Sequence, residues 1–321
     1  MNLLDTVAVA SRSFSKNQDL VNALESQYSK VIFNETGTTL QGQELVNFLN
    51  AADKAIIGIE QISAEILQQL PKLKVISKYG VGINNLDIDS LKSKGVKLGF
   101  TPGVNKQSVA ELALTLTLLS LRKIHRNHIE ITEGIWSQEK GSQLFEKTVG
   151  LLGFGNIGQQ FSSFLAPFDC KLIFFDEKIF SDQELSAITK DLGLKPDAIQ
   201  QVELAVVLHQ ADILSIHLPL LPETEDIIST KELSLLRPSV SIINTARGGI
   251  VDETALHAFL SNNPDAFAAF DVYAEEPVLE KQLFELPNFF GTSHRSSLTH
   301  EGIHAMGLAA IAGLDDNKIL T

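Results

Sequence analysis

Four polar side chains stand where short apolar runs give way to loops. Arg247 follows Val240-Ser-Ile-Ile-Asn-Thr-Ala and precedes two glycines. Asp271 ends Ala266-Phe-Ala-Ala-Phe, and Glu276 comes five residues later, before Pro277. His294 follows Asn288-Phe-Phe-Gly-Thr and lies between Ser293 and Arg295. A guanidinium offers a fork that fits a carboxylate bidentately. A histidine backed by a carboxylate exchanges protons near neutral pH, because the carboxylate orients the ring and favours its charged form. Reduction of a carbonyl beside an acid group needs such parts: a cation for the acid, a proton donor and a hydride donor. Each residue also has a plainer reading. A lone histidine after a strand is more often structural, Arg247 suits a surface salt bridge, and Glu276 beside Glu275 suits an ordinary loop acid. His217, before Leu-Pro at another strand end, is a candidate supporting group. No Cys/His cluster or His-Glu-x-x-His spacing suggests a metal.

The hydride donor has its own signature in Thr148-Val-Gly-Leu-Leu-Gly-Phe-Gly-Asn-Ile-Gly158. An apolar run of buried-strand type leads into Gly153-x-Gly155-x-x-Gly158, and a helical pattern follows from Gln159 to Ala166. Gly153 permits the turn, Gly155 lets backbone approach a pyrophosphate, and Gly158 lets helix pack on strand. A second strand, Lys171-Leu-Ile-Phe-Phe, ends in Asp176, about 20 residues past the glycines, where a ribose-binding acid is expected. A glycine-rich surface turn is the alternative, and it leaves the strand, helix and acid in register unexplained. Asp176 and Glu177 would repel a 2′-phosphate, with Lys178 a partial offset, so NAD is favoured over NADP.

A chain of 321 residues suggests two domains with substantial cores. Its net charge of −13 argues against nucleic acid or an anionic membrane as partner. Cys170 is the only cysteine, so an intrachain disulfide is excluded and a small core residue is the simplest reading. The first residues lack a basic segment followed by a long apolar run, so no signal peptide is expected. The apolar region Val109 to Leu121 is interrupted by Glu111, Thr115, Thr117 and Ser120 and is too short and polar to span a membrane. A cytoplasmic location is the default.

The elements that would position these groups alternate. Strands are expected at 6–10, 30–33, 55–59, 74–77 and 96–100, with helices at 18–26, 43–52 and 64–70, the last capped by Ser63 and ended by Pro71. Such alternation predicts a parallel sheet with functional loops at the strand C-terminal ends. The loop Lys78-Tyr-Gly-Val-Gly-Ile-Asn-Asn-Leu-Asp87 could expose amide donors or be a plain turn. Thr101-Pro-Gly103 marks the crossing into a second domain. Ser108 is the expected cap of a long helix from Val109 to Lys123. Residues 124–146 are polar and hold Trp136, with His125 and His128 expected in solvent, as are His300 and His304. Asp252 should cap a helix from Glu253 to Leu260. The tail from Ser297 reads as a helix of small residues.

Taken in order, these segments resemble the D-isomer-specific 2-hydroxyacid dehydrogenases, in their phosphoglycerate-dehydrogenase-like branch. The likeness runs from about residue 50 to 310. It rests on Lys78-Tyr-Gly-Val-Gly-Ile-Asn-Asn-Leu-Asp, Thr101-Pro-Gly-Val-Asn, Ser108-Val-Ala-Glu, Gly134-Ile-Trp, the glycine motif, His217-Leu-Pro-Leu, Asn244-Thr-Ala-Arg-Gly-Gly, Asp271-Val-Tyr-Ala-Glu-Glu-Pro and Ser293-His294. The resemblance implies an α/β fold of two doubly wound parallel-sheet domains with a cleft between them. One is a flavodoxin-like substrate domain of residues 1–100 and 294–321, and the other a Rossmann NAD-binding domain of residues 101–293. It implies a triad of Arg247, Glu276 and His294 and a homodimer formed largely through the cofactor domains. It also implies that Asn156 and Ile157 amides meet the pyrophosphate, Asp176 the ribose and Asp271 the nicotinamide carboxamide, with Thr245 and Ala246 beside the nicotinamide. Val81 and Gly82 would hold the substrate carboxylate with Arg247, and Lys78 matches a substrate-side position.

The chain departs from the family pattern at several points. Asn84 replaces an acid, Ser293 a proline, and Arg295-Ser-Ser small apolar and glycine residues. Glu146 stands where a glycine is usual, and Glu60 lies in the region of an arginine. The expected activity is therefore NAD-dependent hydride transfer at C2 of a small D-2-hydroxy or 2-keto acid, with the side chain, phosphorylated or not, left open. The rival is an NAD(H)-sensing binding protein or co-repressor on the same scaffold. Formate or phosphite oxidation fits less well, since formate enzymes carry glutamine at the Glu276 position.

Overall fold

Short buried strands alternating with helices build two parallel sheets in a computed structural model that describes residues 5–279 and 281–318. The chain divides into two compact units. One runs to Asn105 and resumes at Thr299, and the other is Lys106–Leu298.

In the first unit β1 (Val7–Val9), β2 (Val31–Phe33), β3 (Lys54–Ile57), β4 (Val75–Lys78) and β5 (Lys97–Gly99) lie in the order β2-β1-β3-β4-β5, all parallel. This is the flavodoxin-like doubly wound order. One apolar cluster gathers Leu45, Leu49, Ile57, Ile76 and Leu98, and another gathers Val7, Phe14, Leu20, Ile56 and Ile311. Ser63 caps the helix Ala64–Gln68 as expected. Asp87 caps an unexpected one, Ile88–Lys94, accepting from Ser90 N at 2.9 Å.

The second unit carries β6 (Thr148–Leu152), β7 (Lys171–Phe175), β8 (Ile199–Gln201), β9 (Ile213–Ile216), β10 (Ser241–Asn244), β11 (Phe267–Phe270) and β12 (Phe289–Gly291). Their order is β12-β11-β10-β9-β6-β7-β8, again parallel, the Rossmann arrangement with its switch point between β6 and β9. Strands β9, β10 and β11 are buried throughout, as crossover helices on both faces require.

Several details differ from the sequence expectations. The units change over at Asn105/Lys106 and at Leu298/Thr299, five residues beyond each boundary read from the sequence. At the second boundary the reason is local: backbone amides of His294, Arg295 and Ser296 all bond to Asp271, which keeps that segment with the second unit. Ser108 does not precede the helix. It is buried inside the helix Lys106–Leu121, which starts early because Lys106 and Gln107 are good helix formers. The glycine-motif helix likewise begins at Asn156, three residues before the first regular apolar spacing. The final helix is His300–Gly313, capped by Thr299, whose hydroxyl accepts from Gly302 N at 2.9 Å. His125 is not in open solvent: its ring packs edge-on against Phe290 at 5.0 Å, and burial lowers its pKa. Cys170 is buried, with its thiol pushed up to about 11 by that burial. Among the described residues no helix is long and apolar enough to cross a membrane.

Candidate active site

The loop after β6 is shaped by close approaches that only glycine allows. Gly153 has φ +94°, and a Cβ there would lie 2.7 Å from the His217 carbonyl oxygen. A Cβ on Gly158 would lie 2.4 Å from the Gly153 carbonyl. Gly155 is different, for nothing lies within 4 Å of its Cβ position. Gly155 is also the N-cap of the helix Asn156–Leu165 and supplies no side chain to it. The helix thus opens on Asn156, Ile157 and Gly158 without a side-chain cap and with free space in front, which suits a pyrophosphate.

Asp176, at the end of β7, closes this loop on its other side. Its carboxylate accepts from Phe154 N at 2.6 Å and Lys178 N at 2.9 Å. Gln201 in β8 fixes the backbone around it, donating to Asp176 O and Lys178 O and accepting from Phe180 N. Sequence reasoning missed Gln201, because a glutamine in a short polar strand carries no local signal. At the ends of two neighbouring strands a polar atom is buried without a hydrogen-bond partner among the described residues: His217 Nδ1 after β9 and Thr245 Oγ1 after β10. Both strands follow the switch point, so these atoms stand on the edge where a nicotinamide would be received. The open cradle at Gly155 and the two orphaned atoms fit a dinucleotide.

Next along the sheet is the ionic group. Asn244 folds the end of β10 into a tight turn, accepting from Ala246 N and donating to Arg247 O. Arg247 is largely buried, which lowers its pKa, while the Glu276 charge opposes that shift. Its Nη1 donates to Ala246 O at 2.6 Å. Glu276 accepts from Tyr273 N at 3.0 Å through Oε1 and meets His294 Nδ1 at 2.7 Å through Oε2. The ring is thereby oriented, and the histidine side chain remains 48% exposed.

Asp271 has partners that its sequence position did not announce. It is fully buried, and its carboxylate accepts from Thr292 Oγ1 at 2.5 Å, Arg295 N at 2.8 Å and Ser296 N at 2.8 Å. Its backbone oxygen takes His294 N at 2.9 Å. Asp271 therefore holds the His294 segment. Tyr273 adds a second tie, its hydroxyl reaching Phe270 O and Thr292 O.

Arg247, Asp271, Glu276, His294, Thr245, Ala246, His217, Asp176 and the motif glycines all belong to the second unit. Lys78, Val81 and Gly82 belong to the first. There Lys78 is buried, and its ammonium donates to Gly58 O and, at 2.7 Å, to Asn85 Oδ1. Asn85 in turn donates to Glu60 O, and the buried Glu60 carboxylate accepts from Gly58 N. The lysine thus braces the loops after β3 and β4. Val81 and Gly82 are partly exposed in the second of these loops. Ser293 and Arg295, two departures from the family pattern, are exposed. Among the described residues no group of three or more His, Cys, Asp or Glu is placed to hold a metal.

Comparison with known proteins gives a consistent set of relatives. The family model for the D-isomer specific 2-hydroxyacid dehydrogenase NAD binding domain matches residues 114–296. Hydroxypyruvate reductase of Thermotoga maritima is 30% identical over 302 residues, 90% of this chain and 94% of the relative. D-3-phosphoglycerate dehydrogenase of Methanocaldococcus jannaschii is 32% identical over 277 residues, and the chain spans 51% of its length. Among solved structures, a D-isomer specific 2-hydroxyacid dehydrogenase from Polaromonas sp. superposes with a TM-score of 0.83 over 97% of this chain and 95% of that one. At 24% identity it supports the fold.

Proposed function

We infer the reaction from one premise: the chain belongs to the D-isomer specific 2-hydroxyacid dehydrogenases and is an NAD-dependent enzyme of that family. It interconverts a small D-2-hydroxy acid and its 2-keto acid. The observation that carries this reading is the Glu276–His294 contact of 2.7 Å, held in the same unit as Arg247.

Held at the glycine loop and Asp176, a bound NAD or NADH would supply the acceptor or donor for hydride at C2. The chain does the rest. In oxidation His294 takes the hydroxyl proton on Nε2 as hydride leaves C2, and in reduction it gives that proton to the C2 oxygen. Glu276 holds the Nδ1 proton and offsets the charge of the imidazolium. Arg247 binds the acid carboxylate and polarises the C2 oxygen. Asn156 and Ile157 meet the pyrophosphate and Asp176 the ribose, while Thr245, Ala246, His217 and Asp271 form the nicotinamide side.

Two observations bear on the substrate. One relative matched over nearly all of both chains is a hydroxypyruvate reductase. Lys78, a cation that could meet a phosphate, is engaged by Gly58 O and Asn85. Both favour an unphosphorylated acid such as hydroxypyruvate over 3-phosphohydroxypyruvate, with Lys78 acting through the loops it braces. A cytoplasmic homodimer is part of the reading. Ile124, Ile131, Ile135 and Trp136, all at least half exposed and the last 81%, supply apolar surface for such a contact on the cofactor unit.

The test is NADH consumption across hydroxypyruvate, glyoxylate, 3-phosphohydroxypyruvate and branched keto acids. We expect a clear preference for an unphosphorylated acid. His294→Ala should lose about 10²–10⁴ in turnover with NADH affinity retained. A fully active His294→Ala would sink the assignment, and silence across the panel with NADH still bound would favour the sensing role.

A further inference from the structure

Glu253 is the first residue of the helix Glu253–Asn262, just after its cap Asp252. Its side chain leaves the helix. Oε1 accepts from Ala274 N at 2.7 Å, while the preceding amide, Tyr273 N, donates to Glu276 Oε1 at 3.0 Å. Two carboxylates therefore hold consecutive amides of one turn. Gly248 closes a third side: a Cβ there would lie 1.9 Å from the Tyr273 carbonyl carbon and oxygen and 2.4 Å from Ala274 N. The peptide joining Tyr273 to Ala274 is thus seated on the residue after Arg247 and tied to Glu253. It sets the Arg247 turn and the Glu276 turn in register.

We propose that Glu253 is a positioning residue for the Glu276–His294 pair, holding the turn that presents Glu276 and, by its charge, setting the pH range in which His294 delivers its proton. The proposal rests on the reading of His294 as the proton carrier.

The electrostatics run in the same direction. Burial raises the Glu253 pKa, the hydrogen bond from Ala274 N opposes that rise, and Glu276, Asp226 and Asp252 add to it, so the two carboxylates feel each other. Glu276 also bears on Arg247 and contacts His294, and Asp271, Glu253 and Glu276 all bear on Tyr273. In this largely anionic setting, Arg247 and a charged His294 oppose the carboxylates. Removing the Glu253 charge therefore favours neutral imidazole. In the reduction direction the alkaline limb of the rate profile must then move to lower pH.

Glutamine at this position keeps an oxygen to accept from Ala274 N and removes the charge, while aspartate keeps the charge on a shorter arm. We would record keto acid reduction against pH, and NADH dissociation constants, for wild type, Glu253→Gln, Glu253→Asp and His294→Asn. Glu253→Gln should bind NADH as wild type does, with the pH of half-maximal reduction lowered by about half a unit. Glu253→Asp should keep the wild-type midpoint and lose about tenfold in kcat, because Glu276 is then misplaced. A Glu253→Gln profile that superimposes on wild type overturns the proposal, as does full kcat in Glu253→Asp. The second variant serves alone if the first does not fold. A His294→Asn enzyme with the wild-type profile would instead remove the His294 reading, so the two failures are told apart.

Discussion

His294 has φ 48°, a left-handed conformation that a side-chain-bearing residue keeps only where its surroundings fix it. Asp271 does the fixing: three donors on its carboxylate and one on its carbonyl all come from residues 292–296. Charge and geometry thus meet at single residues, and His217 is the clearest case. Its Nε2 lies 2.9 Å from Ser215 Oγ, its Nδ1 is sealed from solvent, and burial pushes its pKa from 6.5 down to about 3. Some of the residue's surface stays accessible, but not that ring nitrogen. Below pH 6.5 the unfolded chain takes up a proton here that the folded chain does not. The stability tied to the neutral ring is therefore complete above pH 6.5 and is lost as pH falls toward 3, on the order of 4 kcal/mol across that window. Urea unfolding of the cofactor-free protein between about pH 4 and pH 8 should show wild type losing stability more steeply than His217→Asn. Parallel curves would mean that His217 charges freely in the folded state.

At the scale of elements, the glycine motif separates two jobs that its spacing alone cannot. Gly153 and Gly158 are demanded by packing, whereas Gly155 faces open space with φ −80°, which alanine adopts freely. Gly155→Ala should therefore leave the melting temperature of the cofactor-free protein nearly unchanged and weaken NADH binding by about tenfold or more, since a methyl group would occupy the pyrophosphate's approach. Gly153→Ala should cost about 1–3 kcal/mol of stability from its positive φ and its collision with His217 O. Thermal denaturation and NADH fluorescence titration read the two effects, and unimpaired binding by Gly155→Ala would contradict the cradle. The motif was legible because glycine spacing, strand and acid are all local features. The helix Asp182–Asp191 and strand β8 were not, although Ser181 and Glu184 form a capping box. The helix exposes most of its residues, and Ile199-Gln-Gln lacks the apolar content by which a strand is recognised. Glu253 was legible only as a cap neighbour, because its contact with Ala274 spans 21 residues of sequence and depends on the tertiary fold.

For the whole molecule, the chain builds most of one unit, completes a second, and returns to close the first. The return was readable from family likeness, and the small residues of the last helix only hinted at close packing. The structure supplies the contacts. Ser77 Oγ donates to Ala310 O at 2.6 Å, Leu98 pairs with Lys318, and Lys54 meets Asp315 at 2.5 Å. A Cβ on Gly99 would lie 2.1 Å from Gly313 O, so β5 and the end of the last helix touch backbone to backbone. Neither backbone can yield as a flexible side chain would, which makes Gly99→Ala a probe of this closure. It should cost about 1–3 kcal/mol and speed hydrogen exchange over residues 5–105 and 299–318. Protection within Lys106–Leu298 and the NADH dissociation constant should be unchanged, because every contact disturbed lies in the first unit. Hydrogen exchange read by mass spectrometry, with NADH titration beside it, distinguishes the outcomes. Acceleration spread evenly over both units would mean that they unfold as one cooperative body, and that closure by the C-terminal helix stabilises the cofactor unit as well.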